Sequence, residues 1–423
     1  MNVSGVITEY NPFHNGHKYQ LEEIKKRTNA DYIIVAMSGD FVQRGEPAIM
    51  DKYTRCAFTL ENGADLVLEI PVVYTCSSAE HFARGGVNLL ASTGVVTNLC
   101  FGVETDNIDA LSSIARLLIE EPPVYKETLT GLLSKGYSYP KARCMAISDY
   151  FSEADDIMSD IINQPNNILG IEYIKNIIKY HNRSNIIKYH NNITPIPIKR
   201  QGQGYHSKTI DSPLASASAI RKYLYNDSAK NKDMLSTFLP DNTLNKLMEY
   251  ENKYGFIYAN EISGLLHYKL LLNKKEGFTD FLDCNEELSN KIKNNIINYK
   301  NFSQFCELLK SKNYTYSRIS RVLLHILLEI KDSNVNYPEF LDNAPYLRVL
   351  GFKKDSSALL SQIKKEATAP LISKMADASN HLNESGKILI DKDIFAADIY
   401  NLLINSHNKD TIKNDFSHKI VII

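Results

Sequence analysis

Short apolar runs alternate with longer amphipathic segments through the first hundred residues, and no other feature constrains the fold as strongly. The runs cover residues 3–8, 32–37, 66–70 and 99–103, and the segments at 17–28, 52–62 and 79–92 between them carry helical periodicity. Strands separated by helices of this length predict right-handed βαβ crossovers and therefore an α/β fold built on a parallel sheet. In such a sheet a ligand sits beyond the carboxyl ends of the strands, which is where chemistry is to be sought.

Beyond residue 104 the pattern becomes helical, over 107–119, 124–135, 141–150 and 167–180. Residues 194–199 then read as one more strand, placed at a sheet edge by Pro195 and Pro197. A helix is expected from about Leu214 to Tyr225, with Asp211 or Ser212 as its cap and Pro213 near its first turn. Two domains follow from this reading: residues 1–225, and a mostly helical part at 226–423 with helices at 241–250, 287–297 and 316–330. Short strands are expected there at 347–352 and 369–372. The pentapeptide IIKYH at 177–181 recurs at 186–190, too short a duplication for a solenoid and better read as a tolerated insertion.

Charge restricts the partners. With 48 Lys and Arg against 49 Asp and Glu, no global positive field gathers nucleic acid, so any RNA contact requires a local patch. The six cysteines are scattered, with no CxxC pair and no zinc-ligand spacing, as expected for reduced thiols of a cytoplasmic protein. No apolar stretch of about 20 residues is present, so no membrane-spanning helix is expected.

The strongest local signal is Thr8-Glu9-Tyr10-Asn11-Pro12-Phe13-His14-Asn15-Gly16-His17, where the first strand hands over to the first helix. A helix N-terminus offers unbonded N–H groups and a positive dipole end to phosphate, and Gly16 permits close backbone approach. Two imidazoles three residues apart can donate to phosphate oxygens as charge builds on a leaving pyrophosphate. Histidines that only cap or pack the helix, or that hold a metal, are the alternatives; no third ligand lies at helical spacing on that face, which favours phosphate.

ITEYNPFHNGH, Ser38-Gly39-Asp40-Phe41-Val42-Gln43-Arg44-Gly45-Glu46-Pro47-Ala48, Gly102-Val103-Glu104, Pro165-Asn166-Asn167-Ile168-Leu169-Gly170, Lys199-Arg200 and Ser216-Ala217-Ser218-Ala219-Ile220-Arg221 together resemble the bacterial tRNA(Met) cytidine acetate ligase family. The match runs in order to about residue 225 and more weakly beyond. It implies a Rossmann-like HIGH-type nucleotidyltransferase domain that activates acetate with ATP and Mg²⁺, then transfers the acetyl group to the wobble cytidine of elongator tRNA(Met).

The resemblance carries site residues with it. The ATP cradle would comprise Ile7, Thr8, Glu9, Tyr10, Asn11, Pro12, Phe13, His14, Asn15, Gly16, His17, Lys18, Tyr19 and Gln20, with His14 and His17 catalytic. Gly102, Asn166 and Arg200 would complete the nucleotide site, and Ser216, Ser218 and Arg221 would bind the outer phosphates. The family commonly has Pro-Asn-Asp where this chain has Pro165-Asn166-Asn167, so a charge is lost at Asn167.

Asp40 is expected to face the crevice and orient the cytidine amine or accept its proton, with Gln43 or Arg44 holding acetate or a tRNA phosphate. Arg318, Arg321 and His325 share one face of a C-terminal helix beside Tyr314 and Tyr316, suiting an RNA backbone, while Ile319, Val322, Leu323 and Ile326 supply the opposite core stripe. Lys199, Lys208 and Lys222 would extend that patch; His81 and His267 are read as packing residues, and His206 as the exception that follows Arg200. A small-molecule adenylyltransferase and a non-catalytic RNA-binding adaptor remain the competing classes; no protein metal site is expected.

Overall fold

The computed structural model describes residues 1–151, 160–184, 192–200, 215–226, 232–341 and 343–423. Lys208, His206, Asp211, Ser212, Pro213 and the second copy of the duplicated pentapeptide lie outside the described residues. The N-terminal part runs β1 (Val3–Thr8), α1 (Asn15–Thr28), β2 (Tyr32–Ser38), a hairpin of β3 (Phe41–Val42) and β4 (Glu46–Pro47), α2 (Lys52–Glu61), β5 (Leu66–Ile70), α3 (Val72–Thr75), α4 (Ala79–Ala91) and β6 (Asn98–Val103). Helices α5 (Ile108–Glu120), α6 (Pro123–Ser134), α7 (Tyr139–Tyr150) and α8 (Pro165–Ser184) lead to β7 (Thr194–Lys199) and α9 (Ala217–Asn226).

The strands form because their side chains serve two cores in alternation. In β2, Ile33, Val35 and Met37 enter one core while Ile34 and Ala36 enter the other, so the strand reads as one continuous apolar run. The first core takes Leu21 of α1, Phe58 of α2 and Ile220 of α9; the second takes Val87 of α4, Leu111 of α5 and Ile174 of α8. Caps fix where the helices begin: Asp51 accepts from Tyr53 and Thr54 N–H ahead of α2, and Ser78 from His81 N–H ahead of α4.

The C-terminal part continues through α10 (Lys232–Ser236), α11 (Asp241–Lys253), α12 (Ser263–Asn273), α13 (Glu286–Asn295), α14 (Phe302–Leu309), α15 (Tyr316–Leu327), β8 (Leu347–Phe352), α16 (Ser357–Glu366), β9 (Leu371–Ile372), α17 (Glu384–Asn405) and β10 (Val421–Ile422). Its three strands return to the first sheet, whose order is β10-β8-β5-β2-β1-β6-β7 with β9 beside β8. Strands β5, β2, β1, β6 and β7 are parallel, while β8 runs antiparallel to β5. The sheet is thus shared across residue 225, and a cut there would strip β5 of its outer neighbour. β7, with its two prolines, is the edge strand that the sequence indicates.

The chain leaves β1 toward β2 and β5, and later returns to β1's other side as β6. This reversal makes the carboxyl ends of β1 and β6 the point where connections diverge and leave a crevice.

Candidate active site

The crevice at those strand ends has a volume of about 550 Å³ and is lined from β1 and its exit by Ile7, Thr8, Glu9, Tyr10, Asn11, His14, His17 and Gln20. His14 is the N-cap of α1, and its Nδ1 accepts from Gly16 N–H at 3.0 Å. Capping therefore fixes the tautomer: Nδ1 is the acceptor, and the proton of the neutral ring lies on Nε2. His17 stacks on His14 with ring centroids 3.6 Å apart and leans on Tyr10 at 4.6 Å. Burial, reinforced by Arg200 and Arg221, pushes His14 down to about 3, and burial also holds His17 well below the usual imidazole range. Both rings are consequently neutral before an anion arrives.

Two observations indicate that this turn is shaped for a ligand. Asn11 Nδ2 and His17 Nδ1 are buried without a hydrogen-bond partner, a cost that a bound polar group removes. Tyr10 holds φ at +46°, a left-handed conformation that bulky side chains rarely adopt and that concentrates at functional sites. Not every residue of the expected cradle reaches it. Phe13 and Pro12 are buried beneath the turn, Asn15 binds the carbonyls of Thr237 and Phe238, and Lys18 points to solvent. Gly16, Tyr19 and Lys199 line a smaller side pocket that shares His14, His17, Gln20, Gly102 and Arg200 with the main crevice.

The opposite wall comes from β6, α8 and the start of α9. A Cβ on Gly102 would meet nothing closer than Arg200 Cγ at 3.5 Å, so Gly102 marks open space rather than a packing constraint. Asn166 Nδ2 donates to Glu104 Oε1 at 2.5 Å. Asn167 Oδ1 accepts from Glu104 and Thr105 N–H at 2.9 and 3.3 Å, a role that requires an oxygen but no charge, which accounts for an amide where a carboxylate is common. Ser216 Oγ lies 3.1 Å from Ser218 Oγ and accepts from Ala219 N–H as α9 begins. Arg221 donates to Asn11 O at 2.7 Å and to Glu46 Oε1 at 2.9 Å, tying the histidine turn to the β3–β4 hairpin.

Asp40 corrects the sequence expectation. It does not line the crevice. Its Oδ1 accepts from Lys52 N–H at 2.8 Å, and its Oδ2 lies 3.7 Å from Lys52 Nζ. The Lys52 ammonium is buried and also contacts Glu69 at 3.1 Å and Asp415 at 2.9 Å, while Arg348 bridges the same two carboxylates at 2.9 and 2.7 Å. The connection after β2 turns Asp40 inward because Lys52, which opens α2, has no water to satisfy it. Next to this cluster, fully buried Arg55 donates to the carbonyls of Glu9, Ser38, Gly39 and Met50, clamping the ends of β1 and β2 together. Nothing in the local sequence marked Arg55; its role depends on carbonyls from three separate segments.

The helix α15 also departs from expectation. Arg321 lines the crevice with Ser317, across from Glu9 and Gln43, rather than facing outward. His325 is fully buried, with its ring nitrogens 2.7 Å from Cys76 O and 2.8 Å from Leu282 O, and so offers nothing to RNA. A second layer packs on the face that helical spacing alone leaves to solvent. Arg318 stacks over Tyr314 at 5.1 Å, outside the crevice lining, and Arg44 lines the crevice from its exposed position in the hairpin.

Gln43 lines the crevice as the sequence indicates, whereas sequence reading passed over Ala79, Phe82 and Tyr173. Among the described lining residues Glu9 is the sole carboxylate, and burial raises its pKa against the opposing pull of Arg221 and Arg44. Among the described residues there is no group of three His, Cys, Asp or Glu able to hold a metal, and no helix is long and apolar enough to cross a membrane. The cysteines are unpaired.

A family model described as HIGH Nucleotidyl Transferase matches residues 1–415. The tRNA(Met) cytidine acetate ligase of Clostridium novyi (strain NT) is 40% identical over 380 residues, covering 90% of this chain and 92% of the relative. That of Caldanaerobacter subterraneus subsp. tengcongensis is 40% identical over 423 residues, covering 100% of both. Two solved structures, Thermotoga maritima TmcAL in its apo form I and bound with alpha-thio ATP in form II, superpose with TM-scores of 0.90 and 0.88. Each is 32% identical and covers 100% of both chains. The chain belongs to the tRNA(Met) cytidine acetate ligase family of HIGH nucleotidyl transferases.

Proposed function

We propose that the protein is a cytoplasmic ligase that joins acetate to the exocyclic amine of the wobble cytidine of elongator tRNA(Met), using ATP and forming N-acetylcytidine. The observation that carries this reading is the capped, stacked pair His14 and His17, whose neutral rings face a crevice rich in arginine. Both relatives named above are tRNA(Met) cytidine acetate ligases, and one solved neighbour is bound to an ATP analogue.

In the first step an acetate oxygen attacks the α-phosphorus of ATP; the new P–O bond forms as the bond to pyrophosphate breaks. His14 Nε2–H and His17 donate to the departing phosphates, and Ser216, Ser218 and Arg221 receive the outer ones. Mg²⁺ accompanying ATP would supply further charge neutralisation; a lining whose one described carboxylate is Glu9 fits an ion that would bring its own phosphate ligands. Gly102, Asn166 and Arg200 hold the nucleoside, with Gly102 leaving room for it.

In the second step the cytidine N4 lone pair attacks the acetyl carbon. The C–N bond forms, the C–O bond to the adenylate breaks, AMP leaves as the phosphate anion, and Glu9 takes the amine proton. Glu9 rather than Asp40 suits this task, because it stands on the crevice wall while Asp40 is committed to Lys52. A raised carboxyl pKa makes it a stronger proton acceptor. Arg44 and Arg318 are assigned to the tRNA backbone.

Incubation with ATP, acetate and unmodified elongator tRNA(Met), followed by nucleoside mass spectrometry, should yield acetylated cytidine only when all three are present. ATP turnover that requires a phosphorylated pantetheine or nicotinamide nucleotide instead would overturn the reading. For Glu9→Gln, acetate-dependent pyrophosphate exchange should persist while tRNA acetylation falls by about 10²–10⁴-fold. Loss of both activities would exclude Glu9 as the base of the second step.

A further inference from the structure

One end of the crevice is left unassigned by the adenylation chemistry. Three elements converge there: the β3–β4 hairpin with Gln43, the first turn of α4 with Ala79 and Phe82, and α15 with Arg321. The position of α15 is set from both sides. Ser320 Oγ donates to Gly45 O at 2.9 Å, and the buried imidazole of His325 spans Cys76 O and Leu282 O. Gly45, at φ +79°, lies so close to α15 that a Cβ there would sit 2.5 Å from Arg321 N. Gln43 is fixed as well, its Nε2 donating to Ser77 O at 3.3 Å just ahead of α4.

Arg321 is thereby held on the crevice wall, where Asp283 acts on its charge from beyond ion-pair distance. Its Nε is buried and has no hydrogen-bond partner, and the guanidinium forms no ion pair among the described residues. Arg55, by contrast, donates to four carbonyls, and Arg348 pairs with two carboxylates. A buried N–H donor left without an acceptor is costly unless a ligand supplies one. Glu9, Tyr173 and Arg321 line the same crevice. The crevice also has apolar wall residues, Ile7, Phe82, Phe101 and Tyr173, with the Phe101 and Tyr173 rings 5.6 Å apart.

We infer that this end is the acyl subsite, in which Arg321 holds the carboxylate of acetate and Phe82 with Tyr173 encloses the methyl group and limits the length of the acid. The assignment rests on the acetate-activating reading above. A planar guanidinium pairs with a carboxylate through two parallel N–H donors, which orients the acid as well as binding it. Aromatic walls discriminate one additional methylene by about 10–200-fold, so acid choice here is a matter of space rather than of hydrogen bonding.

The test is acetate-dependent ATP–pyrophosphate exchange, with KM measured separately for acetate and ATP. Arg321→Gln is expected to raise the acetate KM by about tenfold or more, Arg321→Lys to raise it less, and neither to move the ATP KM. Phe82→Ala should let propionate compete, lowering the acetate preference by about tenfold and yielding propionylated cytidine in nucleoside mass spectrometry. An unchanged acetate KM in Arg321→Gln together with a raised tRNA KM would make Arg321 an RNA contact and overturn the inference. Loss of ATP affinity in both arginine variants would likewise overturn it, by making the residue part of the nucleotide site or of the fold. An unchanged acid preference in Phe82→Ala would place the size limit elsewhere. Absence of acetate-dependent exchange in the unmodified protein would instead refute the underlying reading, so the two failures are distinguishable.

Discussion

Two charged regions lie back to back behind the carboxyl ends of β1 and β2, and they treat their charges oppositely. In the cluster around Lys52 two cations, Lys52 and Arg348, meet three carboxylates, Asp40, Glu69 and Asp415, at 2.7–3.7 Å in a closed interior. In the crevice Arg321 Nε, Asn11 Nδ2 and His17 Nδ1 are buried without partners. Buried polar groups in a folded chain are ordinarily satisfied. In the cluster the two atoms without a hydrogen bond, Glu69 Oε2 and Arg348 Nη1, face each other as an ion pair at 2.9 Å, so its charges are matched internally, whereas the crevice is complete only when a ligand supplies what is missing. Residue type alone does not separate the two cases, since both regions combine basic side chains with carboxylates.

If that contrast is right, a crevice residue can be removed with little cost to folding and great cost to chemistry. His17→Ala should lower acetate-dependent pyrophosphate exchange by about 10³-fold, equivalent to about 4 kcal/mol of transition-state stabilisation, while unfolding free energy changes by under about 1 kcal/mol. Full exchange in this variant would break the comparison on the crevice side. Lys52→Met should do the reverse. It leaves three buried carboxylates facing Arg348 alone, and denaturant unfolding should show a loss of about 3 kcal/mol. An equally stable Lys52→Met protein would mean that the cluster is not the scaffold it resembles.

How far the sequence reveals these regions depends on how local their causes are. The parallel strands are readable because each is one apolar run, and β7 is readable as an edge because Pro195 and Pro197 cannot both serve a central ladder. The turn from Tyr10 to His17 is readable because its cap, glycine and imidazoles fall within a few residues of one another. The return of β8 to β5 is not, since its register pairs Leu66 with Phe352 and no short-range pattern encodes a partner so distant. The same reason hides the direction of Asp40. Its position after a strand end indicates the crevice, but a lysine twelve residues on, itself paired with an aspartate near the C-terminus, draws it inward. Arg321 and His325 share a helical face as expected, yet the packing of Cys76 and Leu282 on that face buries the histidine and leaves the arginine in the crevice wall.

Asp40→Asn sharpens the contrast with the smallest effect, because it is the one substitution for which the two regions predict opposite outcomes. Burial, opposed by Lys52 and reinforced by Glu69 and Asp415, pushes the Asp40 carboxyl up to about 7 from its ordinary 3.8. A carboxyl pKa that is higher in the folded than in the unfolded chain means that folding favours the protonated form. Its contribution to stability is full below pH 4 and is lost as pH rises through 7. The asparagine variant cannot ionise, yet its Oδ1 can still accept from Lys52 N–H, and Glu69 and Asp415 still neutralise Lys52. Melting curves across pH 4–8 should therefore lose part of their downward slope, with the variant gaining about 1 kcal/mol at the alkaline end. Acetylation of tRNA at neutral pH should stay within about threefold of the parent, less than 1 kcal/mol in barrier. Loss of acetylation with intact pyrophosphate exchange would instead show that Asp40 reaches the cytidine amine, and would move it from the closed cluster to the open crevice.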